Sequence, residues 1–573
     1  MSSFERVRPR AALAAALVLA LPICGFGSGP VLINGANPVP VVTPPGAPDP
    51  NDFAQQTAEP PITGPATKTC TVVLMKDKQF RNTAYPPANP DEPDRNFTGA
   101  YSPSADCPGP WAKVVLNVSS RINGTQFDRL LDVHLGGALL LSSSTSEPCC
   151  TGQSTQYVHW TAQRDVTQYR ALLAAPQAVQ IDLGNVYDST YNGIYVTTAT
   201  LTFYSTGPTA PAPATADTVI GVHSSVDALQ ADGYYQVSQP GALATQSVTF
   251  PRNLVRLEAE LFAQGHGPCE EFWWGEPGQC GAGTPYREVA IYLDGRLAGA
   301  APVYPVTFTG ANGPGFWEPI PAPRAWNLKP YRVDLSPFTG TLTDGNPHTV
   351  ALAALDASFP MPGDVWDLAA NLLGWVDHDS GVTHGQLTLA SAAPAPADSQ
   401  FADPSGQFLA YTDHSSHTLD FAGWVLTSRG RVTTRVHQAM SADGTQAADG
   451  VATDTSWDWH STSTVTSERG LSSTTSVYDA HETYGIAFAL LTHFGLTETR
   501  DTTVTTDGRR TAWTAYDRSM DTSDATGIAW NGVSSDAYQY SDSDGACVDH
   551  TLKAASGLVI GDVNGSNCPA PPP

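Results

Sequence analysis

Two short stretches of the chain set carboxylates against aromatic rings. Gln126-Phe127-Asp128-Arg129 leads into an apolar segment from Leu130 to Leu141, and Cys269-Glu270-Glu271-Phe272-Trp273-Trp274 sets two acids beside three rings. A carboxylate against apolar surface loses hydration, which raises its pKa toward the range a general acid or base needs. Aromatic faces are also surfaces on which sugar rings stack. Each stretch has a plainer reading too: Asp128 paired with a neighbouring arginine, and Glu271 on a solvated strand end. Residue types alone leave both open.

Other chemistries find no footing. The chain has no Gly-x-Ser-x-Gly elbow, no His-Glu-x-x-His zinc site and no phosphate loop ending in Gly-Lys-Ser/Thr. It has no Cys-x-x-Cys, which argues against zinc ribbons and dithiol redox sites. Asp542-x-Asp544-Gly545 opens like a calcium loop, but the later ligands are missing, and it reads as a solvated turn. Asp377-His378-Asp379 reads as a strand-ending turn. No cofactor or metal is expected.

The elements that must hold these acids read as strands. Ala199, Leu201 and Phe203 alternate with Thr198, Thr200 and Thr202, and Val255, Leu257, Ala259 and Leu261 alternate with Arg256, Glu258 and Glu260. Val289, Ile291 and Leu293 run into Asp294-Gly295, a two-residue hairpin signal, and Asp443-Gly444 and Asp507-Gly508 read as further turns. Only Gln168 to Ala174 suggests a helix. The reading is all-β: two adjacent eight-stranded antiparallel sandwiches of jelly-roll type at 67–207 and 217–392, and a Thr-rich C-terminal antiparallel β domain at 401–566. Pro/Ala/Thr-rich stretches at 30–66, 208–216 and 393–400 are expected to be linkers, and 567–573 a tail.

The N-terminus carries Arg6, Arg8 and Arg10 before an apolar run from Ala11 to Ile23, the pattern of a secretory signal, placed at 1–29. Beyond Cys24 there are eight cysteines. In an exported chain they suggest disulfides, with Cys269 expected to pair with Cys280, Cys547 with Cys568, and the adjacent Cys149 and Cys150 with Cys70 and Cys107. A formal net charge of −26 disfavours nucleic acid and anionic membrane as partners. A secreted monomer that is free of the membrane once the signal is removed is the expectation.

In order, the stretches Phe127-Asp128-Arg129, Leu135-Gly136-Gly137, Arg164-Asp165-Val166-Thr167, Tyr191-Asn192-Gly193-Ile194-Tyr195, Glu271-Phe272-Trp273, Trp317-Glu318-Pro319 and Tyr331-Arg332-Val333-Asp334-Leu335 resemble the peptide-N-glycosidases. These are the peptide-N4-(N-acetyl-β-glucosaminyl)asparagine amidases, and the likeness is to their PNGase A branch. The resemblance implies an amidase that releases N-glycans from asparagine of glycoproteins and glycopeptides, leaving aspartate. It carries the catalytic aspartate of an aromatic-Asp-Arg triplet onto Asp128. A catalytic glutamate two residues after a cysteine falls on Glu271. Arg129 would orient, and Trp273 and Trp317 would face sugar. A third acid of the PNGase F branch has no counterpart; Gly184-Asn185 falls near its place. A non-catalytic glycan-binding protein, or an endo-acting glycoside hydrolase using the same two acids, are the alternative readings.

Overall fold

The computed structural model describes residues 52–81, 96–147, 157–224, 233–267, 286–304, 308–310, 316, 319–355, 364–402, 411–448, 452–467, 472–487, 490–506, 509–522, 533–555 and 558–572. Glu271, Trp273, Trp317, Cys269, Cys280, Cys149, Cys150 and the Asp507-Gly508 turn lie outside them.

The first sandwich is built from β1 (Asp52–Ala54), β2 (Thr69–Phe80), β3 (Asn96–Tyr101), β4 (Trp111–Asn123), β5 (Leu130–Leu135), β6 (Ala138–Ser144), β7 (Tyr157–Asp165), β8 (Gln177–Leu183) and β9 (Ile194–Ser205). One sheet has the order β1-β7-β4-β9-β2, the other β3-β8-β5-β6. The alternation expected along β9 is present: Ala199, Leu201 and Phe203 are buried and their threonine neighbours are not. They meet Val133 and Ile181 of the opposite sheet in one core. Each large side chain so buried contributes roughly 1.5–3 kcal/mol. The expected helix is one short turn, α1 (Arg170–Leu173).

The second sandwich contains β10 (Thr218–Val222), β11 (Tyr235–Val237), β12 (Ala244–Thr249), β13 (Leu254–His266), β14 (Glu288–Leu293), β15 (Arg296–Pro302), β16 (Tyr331–Asp334), β17 (Pro347–Leu355) and β18 (Val365–Val376). Its sheets run β10-β18-β13-β16, with β11 also on β18, and β12-β17-β14-β15. Asp294 (φ 49°) and Gly295 (φ 75°) make the expected tight turn between β14 and β15. Along β13 the alternation fails at Glu260, which is 2% exposed. The outer face of its sheet is covered by the first sandwich, where Glu260 meets Arg164 at 2.8 Å. Asn371 of β18 gives and takes hydrogen bonds with the Leu139 backbone of β6 at 2.8 and 3.1 Å.

The C-terminal region is a single 11-stranded meander. It comprises β19 (His384–Ala392), β20 (Ala397–Ala402), β21 (Tyr411–Thr427), β22 (Gly430–Ala448), β23 (Ala452–Ser467), β24 (Ser472–Ala487), β25 (Leu490–Thr506), β26 (Arg509–Thr522), β27 (Val533–Asp542), β28 (Cys547–Ala555) and β29 (Leu558–Asn564). The boundary at 393–400 is corrected, because β19 and β20 both pair with β21. Nor is the sheet separate: Phe421, Trp457 and Phe494 share one core with Val289 and Leu372 of the second sandwich. Asp443-Gly444 is not a turn but lies inside β22, paired on both sides. A Cβ at Gly444 would sit 2.5 Å from Cζ2 of Trp457, so the glycine clears space for that ring.

The described parts of the other expected linkers are tied down as well. β1 runs parallel to β7, and Ala58 is fully buried, its N–H on Asp536 Oδ2 at 2.8 Å. Residues 208–216 are held by Arg170 Nη1 on Pro213 O at 2.8 Å. Cys547 is bonded to Cys568, and the tail lies on the sheet with Arg510 Nη2 on Pro572 O at 2.6 Å. Cys70 is bonded to Cys107, which corrects their expected pairing with Cys149 and Cys150: β2 brings Cys70 within 5.7 Å of Cys107 between Cα atoms.

Candidate functional site

Asp128 is half-buried in the loop between β4 and β5, with Phe127 exposed at 38% beside it. The loop has the side chain of Gln126 as its keel. Fully buried, Gln126 donates from Nε2 to Val186 O at 2.7 Å and accepts from Phe127 N at 3.0 Å and Arg129 Nη2 at 2.8 Å. A glutamine can donate and accept at once, so one residue holds both neighbours of Asp128.

The peptide groups flanking Asp128 are fixed from beneath by Tyr195 and Thr145. Tyr195 Oη lies 2.7 Å from Phe127 O and 2.9 Å from Ser146 O, and takes a bond from Thr145 Oγ1 at 3.0 Å. Thr145 Oγ1 also accepts from Arg129 N at 2.7 Å, and Thr145 N donates to Arg129 O at 2.7 Å. Burial pushes the Tyr195 phenol well above its ordinary pKa; bonding from Thr145 and the charge of Arg129 pull it back, and Asp128 and Glu147 add to the rise. Tyr195 therefore stays a neutral donor at working pH.

Arg129 does not reach outward alone. Its guanidinium is on Gln126 and lies 5.4 Å from the Phe127 ring, while that ring packs against Tyr191 at 4.3 Å. Tyr191 is placed by an Asp188 turn: Asp188 Oδ1 accepts from the N–H groups of Thr190 and Tyr191, both at 2.7 Å. Those two bonds, from Tyr191 first and Thr190 next, hold the Asp188 carboxyl below its ordinary pKa, and Arg129 adds to the shift. Asn185 is fully buried and donates to Phe80 O and Gly193 O at 2.9 and 3.0 Å, an architectural role in place of an acid.

The motif reading missed Tyr195, Thr145 and Gln126 as parts of the site. It gave no role to Glu147, a buried acid whose charge reaches Tyr195 together with that of Asp128. The signal available was the i, i+2 placement of Thr145 and Glu147 just past β6, but only the tertiary fold brings that strand end under the Asp128 loop.

The same cradle touches the second sandwich. Thr309 N donates to Ser144 Oγ at 3.1 Å, and Thr309 Oγ1 bonds to Thr145 O. Next to Thr309, Phe308 meets the His266 ring edge-on at 5.8 Å, and His266 ends β13. His266 Nε2 lies 3.2 Å from the buried Asp367 carboxylate. Among the described residues no group of three or more His, Cys, Asp or Glu is placed to hold a metal.

Comparison with known proteins gives three findings. The model of the family described as peptide N-acetyl-β-D-glucosaminyl asparaginase amidase A matches residues 60–393. A peptide-N4-(N-acetyl-β-glucosaminyl)asparagine amidase A of Prunus dulcis is 30% identical over 410 residues, covering 65% of this chain and 66% of that relative's length. The solved structure of PNGF-II aligns over 54% of this chain and 65% of that one, at 14% identity and a TM-score of 0.38.

Proposed function

The chain belongs to the peptide N-acetyl-β-D-glucosaminyl asparaginase amidase A family, and from that premise we propose that it hydrolyses the amide between an N-glycan and asparagine. Its substrates are N-glycosylated peptides and proteins, and its products are aspartate and a glycosylamine. The observation that carries this reading is Asp128 itself. It is half-buried beside an exposed ring, with both flanking peptide groups locked by Tyr195 and Thr145. A carboxyl group held in one place beside apolar surface is what proton transfer at an amide requires.

In this reading Asp128 is the principal acid or base at the scissile amide, and Glu271 activates or positions water opposite it. Support for the pairing comes from the Thr145–Thr309 bond and the Phe308–His266 contact. They lead from the Asp128 cradle to the end of β13, five residues before Glu271. Arg129 braces the loop, and Trp273 and Trp317 supply sugar-facing rings. The two sandwiches are read as jelly rolls. That is supported by the matching orders β2-β9-β4-β7 and β10-β18-β13-β16 on one sheet each, and β3-β8-β5-β6 and β12-β17-β14-β15 on the other. A secreted monomer fits the two disulfides.

The test is product identity after incubating the chain with a defined N-glycopeptide. Free glycan together with aspartate at the former sequon asparagine is the expected result. A GlcNAc stub on the peptide would instead indicate a glycoside hydrolase, and an intact glycopeptide a binding protein.

A further inference from the structure

A second cavity lies at the free edge of β7, its Trp326 wall reaching the Tyr195 cradle through Trp160. After β1 the chain leaves the edge of β7 and returns to it. Gln55 N donates to His159 O at 3.0 Å, and Ile62 N donates to Gln163 Oε1 at 2.7 Å. Between these ties the chain swings out to the C-terminal sheet at Asp536, enclosing a cavity of about 560 Å³ against β7 and the loop around Trp326. Gln56, Pro60, Pro61 and Thr161 on its lining are exposed, so it opens to solvent. Its volume is within the range of small-molecule sites.

The wall has an open strand edge. His159 O bonds to Gln55 on this side, and Gln163 O accepts from Asn327 Nδ2 at 2.9 Å on the same side. Along a strand, peptide groups two residues apart point the same way. The N–H and C=O of Thr161 therefore face the cavity, and among the described residues neither has a hydrogen-bond partner. Two neighbouring groups share this state: Trp326 Nε1 and Asn327 Oδ1 are buried without partners among the described residues. Trp326 is only 6% exposed and stacks on Trp160 at 5.4 Å.

The charged side chains around the cavity have partners within the protein: Glu59 pairs with Lys329 at 2.7 Å, Arg324 with Glu498 at 2.7 Å and His550 with Asp562 at 2.9 Å, while Asp536 accepts from Ala58 N at 2.8 Å and Ser519 Oγ at 2.9 Å. Among the groups left over are two neutral donors and two neutral acceptors beside apolar proline and isoleucine surface, with Arg324 Nε a further buried donor. The ties at Gln55 and Ile62 close both ends of the edge, leaving one strand register open, too short for an extended peptide. We propose that this cavity is an accessory binding site for a neutral N-acetylated amino sugar. The acetamido carbonyl takes the Thr161 N–H, a ring hydroxyl donates to the Thr161 C=O, and the methyl rests on the proline wall. Trp326 Nε1 and Asn327 Oδ1 serve further hydroxyls after a small side-chain adjustment.

Titration of the full chain with N-acetylglucosamine, with glucose as the control sugar, tests it. Saturable binding is expected, with glucose weaker by about tenfold or more for want of the acetamido contacts. Gln56→Trp, which places bulk at the mouth from an exposed position, weakens binding by about tenfold or more and leaves glycan release from glycopeptides unchanged. Trp326→Phe removes the unpartnered N–H and keeps a smaller aromatic ring beside Trp160, so it serves if the first variant folds poorly; weaker binding is expected there too. Equal binding of both sugars, binding untouched by either variant, or only water against Thr161 in a soaked crystal would overturn the proposal. No glycan release by the parent chain, with sugar binding intact, would count against the amidase reading alone, whereas glycan release lost in Gln56→Trp would count against an accessory role.

Discussion

At the scale of single residues, the loop that carries Asp128 is held by neutral groups. Tyr195 and Thr145 touch no substrate in this account; they fix the backbone on both sides of Asp128. Tyr195→Phe leaves Phe127 O, Ser146 O and Thr145 Oγ1 without their shared partner. The expected cost in stability is about 1–3 kcal/mol. Loosening the acid should lower kcat by roughly 10–100-fold. Because the substrate contacts remain, KM should move little. Denaturant melts and steady-state kinetics on one glycopeptide measure both, and a full-rate Tyr195→Phe enzyme would show that the cradle does not position Asp128.

At the scale of elements, the two sandwiches are joined by one buried acid. Glu260 of β13 accepts from Arg164 of β7 at 2.8 Å, from Arg332 of β16 at 2.6 Å and from Tyr169. Burial raises the Glu260 pKa, but the two arginines and the Tyr169 bond outweigh it and hold the carboxyl at about 2. A carboxyl with a depressed folded pKa contributes stability above its unfolded value, and that contribution is lost as pH falls. Here the loss runs from near 4.5 down to about 2. Glu260→Gln leaves Arg164 buried without its counter-charge and should cost about 3–5 kcal/mol at neutral pH. The variant should also lose less stability than the parent on acidification through that window. Thermal melts across pH check it; parallel pH curves would mean that Glu260 does not carry the acid sensitivity.

Glu260 also marks the limit of what the sequence reveals. Strand alternation identified β9 and β13 correctly, and Asp294-Gly295 gave a true hairpin, because each is decided by local geometry. Whether the polar face of a strand meets water or a second sandwich is decided by residues a hundred positions away, and Glu260 therefore read as solvated. Gly444 misled for a related reason: it serves a ring on the next strand, not a turn. The Pro-rich stretch at 30–66 looked like a linker, although in its described part, from residue 52, backbone groups find partners on β7 and the C-terminal sheet. The Asp128-Arg129 stretch can be read from the sequence because it is contiguous; the residues that hold it, just past β6 and on β9, cannot.

At the scale of the whole molecule, the C-terminal sheet shares one hydrophobic core with the second sandwich. His417 of β21 is buried with Nδ1 at 2.7 Å from Glu288 and Nε2 at 2.9 Å from Ala393 O. Arg324 reaches Glu498 at 2.7 Å across the same contact. A chain ending at residue 392 would bare the apolar partners of Phe421, Trp457 and Phe494 and leave Glu288 and Arg324 buried without their partners. It should aggregate or melt far below the full chain. A soluble, active 392-residue form would show that the sheet is dispensable.

The central claim is that Asp128, set on the Tyr195–Thr145 cradle, drives hydrolysis of the asparagine side-chain amide. The most direct measurement is mass analysis of an N-glycopeptide digested in oxygen-18 water by the parent chain and by Asp128→Asn. The account predicts one heavy oxygen in the new aspartate carboxyl with the parent. With folded Asp128→Asn the same product should form at least ~10²-fold more slowly, since asparagine keeps the shape but cannot exchange a proton at working pH. Unlabelled asparagine still bearing a sugar, or label entering at equal rates with both chains, would contradict it.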